Sequence, residues 1–401
     1  MNDRPTQTET ALSVPAPIRA SLDAIESSLI REVSDIGMAM GGVTPLWFGE
    51  SDITSPDFVR DAAKASLDEG ETFYSSNAGI APLRAALARY ESGLRGRQID
   101  EERVVITISG MAAIMLAMET FVGAGDNAIV HTPIWPNCIQ TVRIMGAEAR
   151  LIELERGPDG WTLDLDALFA MADERTRAIF VNSPSNPTGW TMSGEDQARL
   201  LEFARARGIW IIADEVYTRI SYEAPRAPSF LDIAQPEDPL VVVNSFSKNW
   251  CMTGWRLGWM VAPASLVPTI TKLVEFNYSC IPVFVQRAGI AAIEQGEDFV
   301  AETLALYRRN RDLVYQRLAG IDGVHMANPP GAFYAFIAVD GMTDSLAAAK
   351  RILTDQKVGL APGSAFGPGG EGHLRLCFAL QSDKLSGALD RLAKSLEAGV
   401  V

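Results

Sequence analysis

The chain of 401 residues has little of what builds metal centres or disulfide frameworks. Its four cysteines, Cys138, Cys251, Cys280 and Cys377, lie far apart and form no C-x-x-C pair. Its three histidines, His131, His325 and His373, are equally scattered. The spacing offers no zinc site, so no metal is expected. So few cysteines in a chain this long suit a reduced, cytoplasmic protein. No apolar run approaches 18 residues, so no membrane-spanning helix is expected. The opening MNDRPTQTETALSVPAP is polar and holds no apolar secretory core. Basic residues are outnumbered 35 to 50, a net charge of −15, which argues against nucleic acid and anionic membranes as partners. One basic pocket for an anionic ligand stays open, because net charge says nothing about a single cleft.

What is present is globular. Apolar residues make up 47 % and charged ones 21 %, enough apolar material to bury a large core. At about 100–200 residues per domain, the length suggests two or three domains. Residues 1–17 read as a loose tail. Ile18, Leu22, Ile25, Leu29 and Val33 then step by three or four, which predicts one packed amphipathic helix. Residues 37–52 carry too much Gly and Pro for a helix and read as loop or short strand. Ile80, Leu83, Leu87 and Tyr90 mark another helix. Short β-rich runs follow at 104–108, 127–131, 178–182, 209–213 and 240–244, with helical stretches such as 111–121 and 193–207 between several of them. Strands buried on both faces and joined by helices imply a mostly parallel sheet, with ligands at its carboxyl edge. Past about 295, a long helix (298–319), a strand within 374–380 and a closing helix (383–397) read as a smaller α/β unit. No internal repeat is visible.

The polar residues of interest follow the strands. In NSFSKNWCMTGWRLGW (244–259), Lys248 comes just after an apolar strand, among apolar and small residues. A lysine there is costly unless neutral, paired or covalently used, and its amine can condense with an aldehyde. Ser245, Ser247 and Arg256 offer donors suited to a phosphate. Asp214 directly follows the strand 209–213, with Tyr217 three residues on. It reads either as a helix N-cap or as the partner of a cationic ring nitrogen. In NSPSNPTGW (182–190) two X-Pro bonds fix a tight turn around Asn186, and a cis peptide is plausible there. At 106–115 a strand runs through Ser109 into a helix. The N–H groups of Gly110, Met111 and Ala112 would face an anion such as phosphate. Trp135 offers a flat surface. Arg375, inside a strand, needs a carboxylate, from the protein or from a substrate. Phosphate, ring cation, aldehyde and flat aromatic ring occur together in pyridoxal 5′-phosphate.

From about Pro45 onward the chain resembles the class I/II aminotransferases, fold-type I pyridoxal-phosphate enzymes related to aspartate aminotransferase. The motifs are SNPTG (185–189), ADEVY (213–217), SFSK (245–248), GWRLGW (254–259) and HLRL (373–376), with support from GESD (49–52), 72–84 and 362–367. The resemblance implies an α/β fold. A tail (1–17) precedes an N-terminal helix and arm (18–50) that packs on the small domain. A large cofactor-binding domain (51–295), with a mostly parallel sheet flanked by helices, is followed by a small α/β domain (296–401). It implies a cytoplasmic homodimer with shared sites, in which Tyr74 reaches the neighbour's phosphate. Lys248 would hold the cofactor as an internal aldimine and shuttle a proton. Asp214 would keep the pyridine nitrogen protonated, and Tyr217 and Asn186 would bond the phenolic oxygen. Ser245, Ser247, Arg256 and the 110–112 turn would hold the phosphate, and Trp135 would stack on the ring. Arg375, with Asn186 and the Gly49 backbone, would clamp the substrate carboxylate.

The implied reaction moves an amino group from an L-amino acid to a 2-oxo acid by a ping-pong route. An α,β-lyase on the same scaffold and a non-catalytic sensor are the alternatives. Arg19, Arg31 and Arg287 are available to meet a distal carboxylate, while the helix after Gly110 carries Glu119 and no lysine. Met38, Met40, Trp47 and Phe48 are candidates for an apolar side-chain pocket, with ordinary packing the favoured reading. A neutral or aromatic donor is the slight preference.

Overall fold

The computed structural model describes residues 19–23, 25–158 and 160–399. The expected tail at 1–17, and Ile18, lie outside the described residues. Seven strands form the main sheet: β1 (Val104–Thr107), β2 (Asn127–Thr132), β3 (Glu148–Glu153), β4 (Thr176–Asn182), β5 (Trp210–Asp214), β6 (Leu240–Ser245) and β7 (Gly258–Val261). Their order is β1-β7-β6-β5-β4-β2-β3. β7 runs antiparallel to both its neighbours, and the other pairs are parallel.

Alternation explains why these strands read as unbroken apolar runs. Val104, Ile106, Ile211, Ala213 and Val242 join one core, while Val105, Ile212, Val241 and Val243 join another on the opposite face. Each such aliphatic side chain contributes about 1.5–3 kcal/mol when fully buried. The helices over the sheet are bounded by local chemistry. In Gly194–Arg207, the Ser193 hydroxyl accepts from the Asp196 amide and Gly208 closes the helix at φ 64°. Glu195 and Asp196 sit in its first turn and Arg205 and Arg207 in its last, as the helix dipole favours.

A third core gathers the rest of the chain. Four antiparallel strands, β8 (Val324–His325), β9 (Tyr334–Val339), β10 (Ala361–Pro362) and β11 (His373–Cys377), pair in the order β8-β9-β11-β10. Ile30, Val33, Leu46 and Trp47 pack into this core, with Leu374, Leu376, Leu385 and Leu389. The helix Glu297–Leu318 spans two cores, with Val300 in the first and Leu306, Tyr307, Val314 and Leu318 in the third. No helix among the described residues is long and apolar enough to cross a membrane.

The N-terminal region differs from the periodic reading in two ways. Instead of one helix, a single turn at Ala20–Asp23 is separated by residues 25–28 from α1 (Leu29–Met40). Ser28 causes the restart, because its hydroxyl accepts from the Arg31 amide at 3.3 Å and caps the new helix. α1 also continues through Gly37–Met40, where loop or strand was expected. Gly37 serves packing there: a Cβ would meet Trp47 Cη2 at 2.3 Å, so the glycine lets the indole lie against the helix. The stop comes later, at Gly41 (φ 69°) and Gly42 (φ 68°).

Candidate active site

The carboxyl edge of the sheet carries the polar residues. Asn182 lies opposite Asp214 across β4 and β5, and Gly258 lies opposite both Ser245 and Thr107. This register brings four strand ends to one cavity of about 550 Å³. Gly49, Gly110, Met111, Trp135, Asn186, Asp214, Tyr217, Ser245, Ser247, Lys248, Arg256 and Arg375 all line it. Ala112 does not: its amide donates to Ser109 Oγ at 3.0 Å, so the expected phosphate contact from Ala112 is replaced by the helix cap. Tyr74 is also absent from the cavity and 90 % exposed.

Asn182 organises the edge. Its Nδ2 donates to Asp214 O at 3.1 Å, and its Oδ1 accepts from the Asn186 amide at 2.8 Å. Its own amide donates to His131 Nε2 at 3.1 Å, and burial drops that imidazole to about 3, so it is neutral. The tight turn places Asn186 as expected, and both its X-Pro bonds, Ser183–Pro184 and Asn186–Pro187, are cis. Asn186 Oδ1 then accepts from Arg375 Nη1 at 3.0 Å.

Arg375 is buried, donates through Nη2 to Trp47 O, and lies against the rings of Tyr334 (4.8 Å) and Phe366 (5.0 Å). Its Nε has no partner, and no carboxylate pairs with it among the described residues. Asp214 is the opposite case. Its Oδ1 accepts from the Val216 amide at 3.3 Å, yet no cation pairs with it among the described residues. Burial raises this carboxyl to about 7, opposed by the Val216 amide and by Lys248. No helix starts after Asp214, so the helix N-cap considered for it is absent; the Val216 bond closes a turn instead and leaves the carboxylate without a counter-ion among the described residues.

Lys248 sits on a single helical turn, Phe246–Asn249, that follows β6. Its Nζ donates to Gly49 O at 2.5 Å. Burial lowers the ammonium to about 8, with Arg375 adding to the effect and Cys377, Glu50 and Asp214 opposing it. Gly49 must be glycine: a Cβ would sit 1.9 Å from the Tyr334 hydroxyl. That hydroxyl is 2.6 Å from Tyr217 OH, and burial holds the Tyr217 phenol well above its ordinary range. Ser245 Oγ lies 2.9 Å from Ser247 Oγ, beside the N-terminus of α2 (Gly110–Phe121). Arg256 occupies the left-handed region at φ 54°, which costs about 1–2 kcal/mol, and donates to Thr253 O at 2.7 Å.

Of the three arginines considered for a distal carboxylate, Arg31 lines the cavity. Arg287 is engaged by Glu71 through Nε at 2.9 Å and Nη2 at 2.5 Å, and Arg19 donates to Ile144 O at 2.5 Å. Neither lines the cavity. Trp47 and Phe48 line it, whereas Met38 is 59 % exposed and Met40 packs against the third core. Sequence reasoning missed Asn182, Ser109 and Tyr334. Asn182 opens the motif that was read and follows a strand, so position was an available signal. Nothing in GAFYAF (331–336) marks Tyr334 off from a packed aromatic.

The chain as a whole is similar to known aminotransferases. The sequence profile of the family "Aminotransferase class I and II" matches residues 44–392. The chain is 35 % identical to an aspartate aminotransferase of Pyrococcus horikoshii, over 93 % of this chain and 95 % of the relative. It is 31 % identical to aromatic-amino-acid aminotransferase 2 of Thermococcus litoralis, over 94 % and 97 % of the two chains. The crystal structure of an aspartate aminotransferase from Thermotoga maritima superposes with a TM-score of 0.89 at 30 % identity, covering 94 % of this chain and all of the other.

Proposed function

Because the chain belongs to the class I and II aminotransferases and is a transaminase, we propose that it uses pyridoxal 5′-phosphate held at Lys248 to move an amino group from an L-amino acid to a 2-oxo acid. One observation carries this reading. Among the described residues, a buried carboxylate without a cation and a buried guanidinium without an anion line the same cavity as a half-buried amine. That donor set suits a ligand with a ring cation, a substrate carboxylate and an aldehyde. A phosphate suits the α2 N-terminus with Ser245, Ser247 and Arg256.

When bound, the cofactor supplies the sink for the electrons released at the substrate Cα. Lys248 would hold it through Nζ, and the same Nζ would take and return the Cα proton. Asp214 keeps the ring nitrogen protonated. Asn186, whose Oδ1 is held by Arg375, keeps Nδ2 for the phenolic oxygen, and Tyr217 donates there while accepting from Tyr334. The Gly110 and Met111 amides, Ser245, Ser247 and Arg256 would hold the phosphate, and Trp135 would offer the ring a flat face. Arg375 receives the α-carboxylate, with Asn186 and the Gly49 backbone beside it. Trp47 and Phe48 favour a neutral or aromatic donor. Two copies share the sites: Phe73, Tyr74 and Phe276 are 83 %, 90 % and 86 % exposed, aromatic surface that a second copy would cover.

The test is the half-reaction. A panel of amino acids is added to the protein carrying the cofactor, and the visible absorbance of the bound aldehyde is followed. The proposal expects loss with at least one neutral or aromatic amino acid and recovery with a 2-oxo acid. Release of ammonia and a 2-oxo acid without any added acceptor would instead show the lyase reaction.

A further inference from the structure

His131 is a buried titratable side chain with no part in the chemistry above, and it does not line the cavity. Its place follows from where the ladders of the sheet end. β2 pairs with β4 only as far as Val130 opposite Phe180, although β4 pairs with β5 to Asn182 and β2 with β3 to Thr132. Past Phe180 the amides of β4 still alternate sides. That of Ser183 donates to Asp214 O at 3.1 Å, and that of Asn182 faces β2. With the ladder ended there, its partner is a side chain, His131 Nε2 at 3.1 Å. An imidazole that accepts at Nε2 carries its proton on Nδ1. This Nδ1 is buried and has no partner among the described residues. The ring thus satisfies one buried donor and strands another, and stability alone does not explain it.

What the ring touches does explain it. It stands edge-on to Trp190, with ring centroids 5.2 Å apart and planes at 66°. Asn182 and Trp190 are the two ends of the tight turn that carries Asn186, so His131 closes that turn from outside. Within the turn, the Ser185 amide donates to Trp190 O at 2.8 Å and the Asn186 amide to Asn182 Oδ1 at 2.8 Å. The Trp135 amide, four residues after His131, donates to Asn186 O at 2.8 Å. β2 and the residues after it therefore grip the turn at its start, middle and close. Both backbone groups of Asn186 are held, and its side chain is directed at Arg375.

We propose that His131 is a positioning residue of this site: with Nε2 as the acceptor at Asn182 and its ring against Trp190, it holds the turn 182–190 so that Asn186 keeps its aim. It touches neither cofactor nor substrate and acts through Asn186. The proposal rests on the transaminase reading for what Asn186 contacts, but its readouts need no turnover.

The chain has three histidines, so nitrogen-15 histidine NMR of the protein carrying pyridoxal 5′-phosphate resolves His131, assigned by its loss in His131→Phe. The expected signal is an Nδ1–H tautomer that stays neutral as pH falls to about 5. An Nε2–H tautomer, or protonation near the ordinary value of about 6.5, would overturn the proposal. His131→Phe keeps a ring and removes the acceptor. The pH midpoint of the bound cofactor's visible absorbance should then rise by about 0.5–1 unit, because a weakened donor at the phenolic oxygen favours the protonated form. The dissociation constant of acetate, an unreactive carboxylic acid, should rise about 3- to 10-fold, since Asn186 also holds Arg375. His131→Gln, whose Oε1 lies as many bonds from Cα as Nε2 does, should recover both in part. A less stable His131→Phe protein with wild-type midpoint and acetate affinity would overturn the proposal and leave only a packing role. If His131→Phe does not fold, His131→Asn, too short to reach the Asn182 amide, takes its place in the same comparison. A midpoint that moves, in a protein whose cofactor no amino acid discharges, upholds the positioning role and rejects transamination. Discharge with an unmoved midpoint does the reverse.

Discussion

At the scale of single residues, burial decides what two groups do. Lys248 has its ammonium lowered to about 8 by burial, so its neutral, nucleophilic form dominates above that pH. Capture of pyridoxal 5′-phosphate by cofactor-free protein should accelerate as pH rises and level off above about 8. Stopped-flow absorbance measures this, and a midpoint near the ordinary 10.5 would contradict the assignment. Lys248→Ala should lose covalent attachment and about 10²–10⁴-fold in rate, the contribution of a positioned proton-transfer group. Asp214→Ala should lose turnover by about 10²-fold or more, by analogy with removing one preorganised electrostatic partner. Steady-state kinetics at saturating cofactor decide it, and near-normal turnover would remove Asp214 from the ring nitrogen. Most of this site was legible in the sequence, because polar residues that break off an apolar strand stand out. Asn182 and Tyr334 were not: one is hidden inside a turn motif, and the other looks like any packed aromatic. Their roles come from partners 32 and 117 residues away.

At the scale of elements, the site depends on how closely β7 passes the start of α2. A Cβ on Gly258 would lie 2.6 Å from both Gly110 N and Ser109 C, backbone atoms that cannot rotate aside. Gly258→Ala should therefore push the helix N-terminus off the strand and cost about 1–3 kcal/mol, as overpacking does. Urea denaturation reads the stability, and the cofactor dissociation constant should rise with it. Unchanged values for both would mean that the close approach does not matter. The strands and most helices were legible because their apolar spacing is strong. The N-terminal helix was not. Its period runs on past Ser28 while the chain breaks there, since a hydroxyl cap outcompetes continuation of the helix. Gly37 misled in the other direction, because packing against Trp47, invisible in a local window, keeps it inside the helix.

At the scale of the whole molecule, the cavity exists only because separate cores meet. Asp214 ends one strand of the main sheet and Lys248 follows another, while Arg375 and Tyr334 come from the antiparallel sheet of the third core. Division of the chain at 295/296 remains a proposal, and the helix Glu297–Leu318 bridges its two sides. A second copy over Phe73 and Tyr74 would complete each site. Tyr74→Phe should then leave the dimer intact in sedimentation but weaken cofactor binding, whereas a monomeric wild type would rule out shared sites. All of these arrangements converge on one amine. The most direct measurement is to saturate the protein with pyridoxal 5′-phosphate, reduce with borohydride, digest and locate the tag by mass spectrometry. The expected result is a single modified residue, Lys248, and no tag in Lys248→Ala. A tag on another lysine, or none on the wild type, would contradict the assignment.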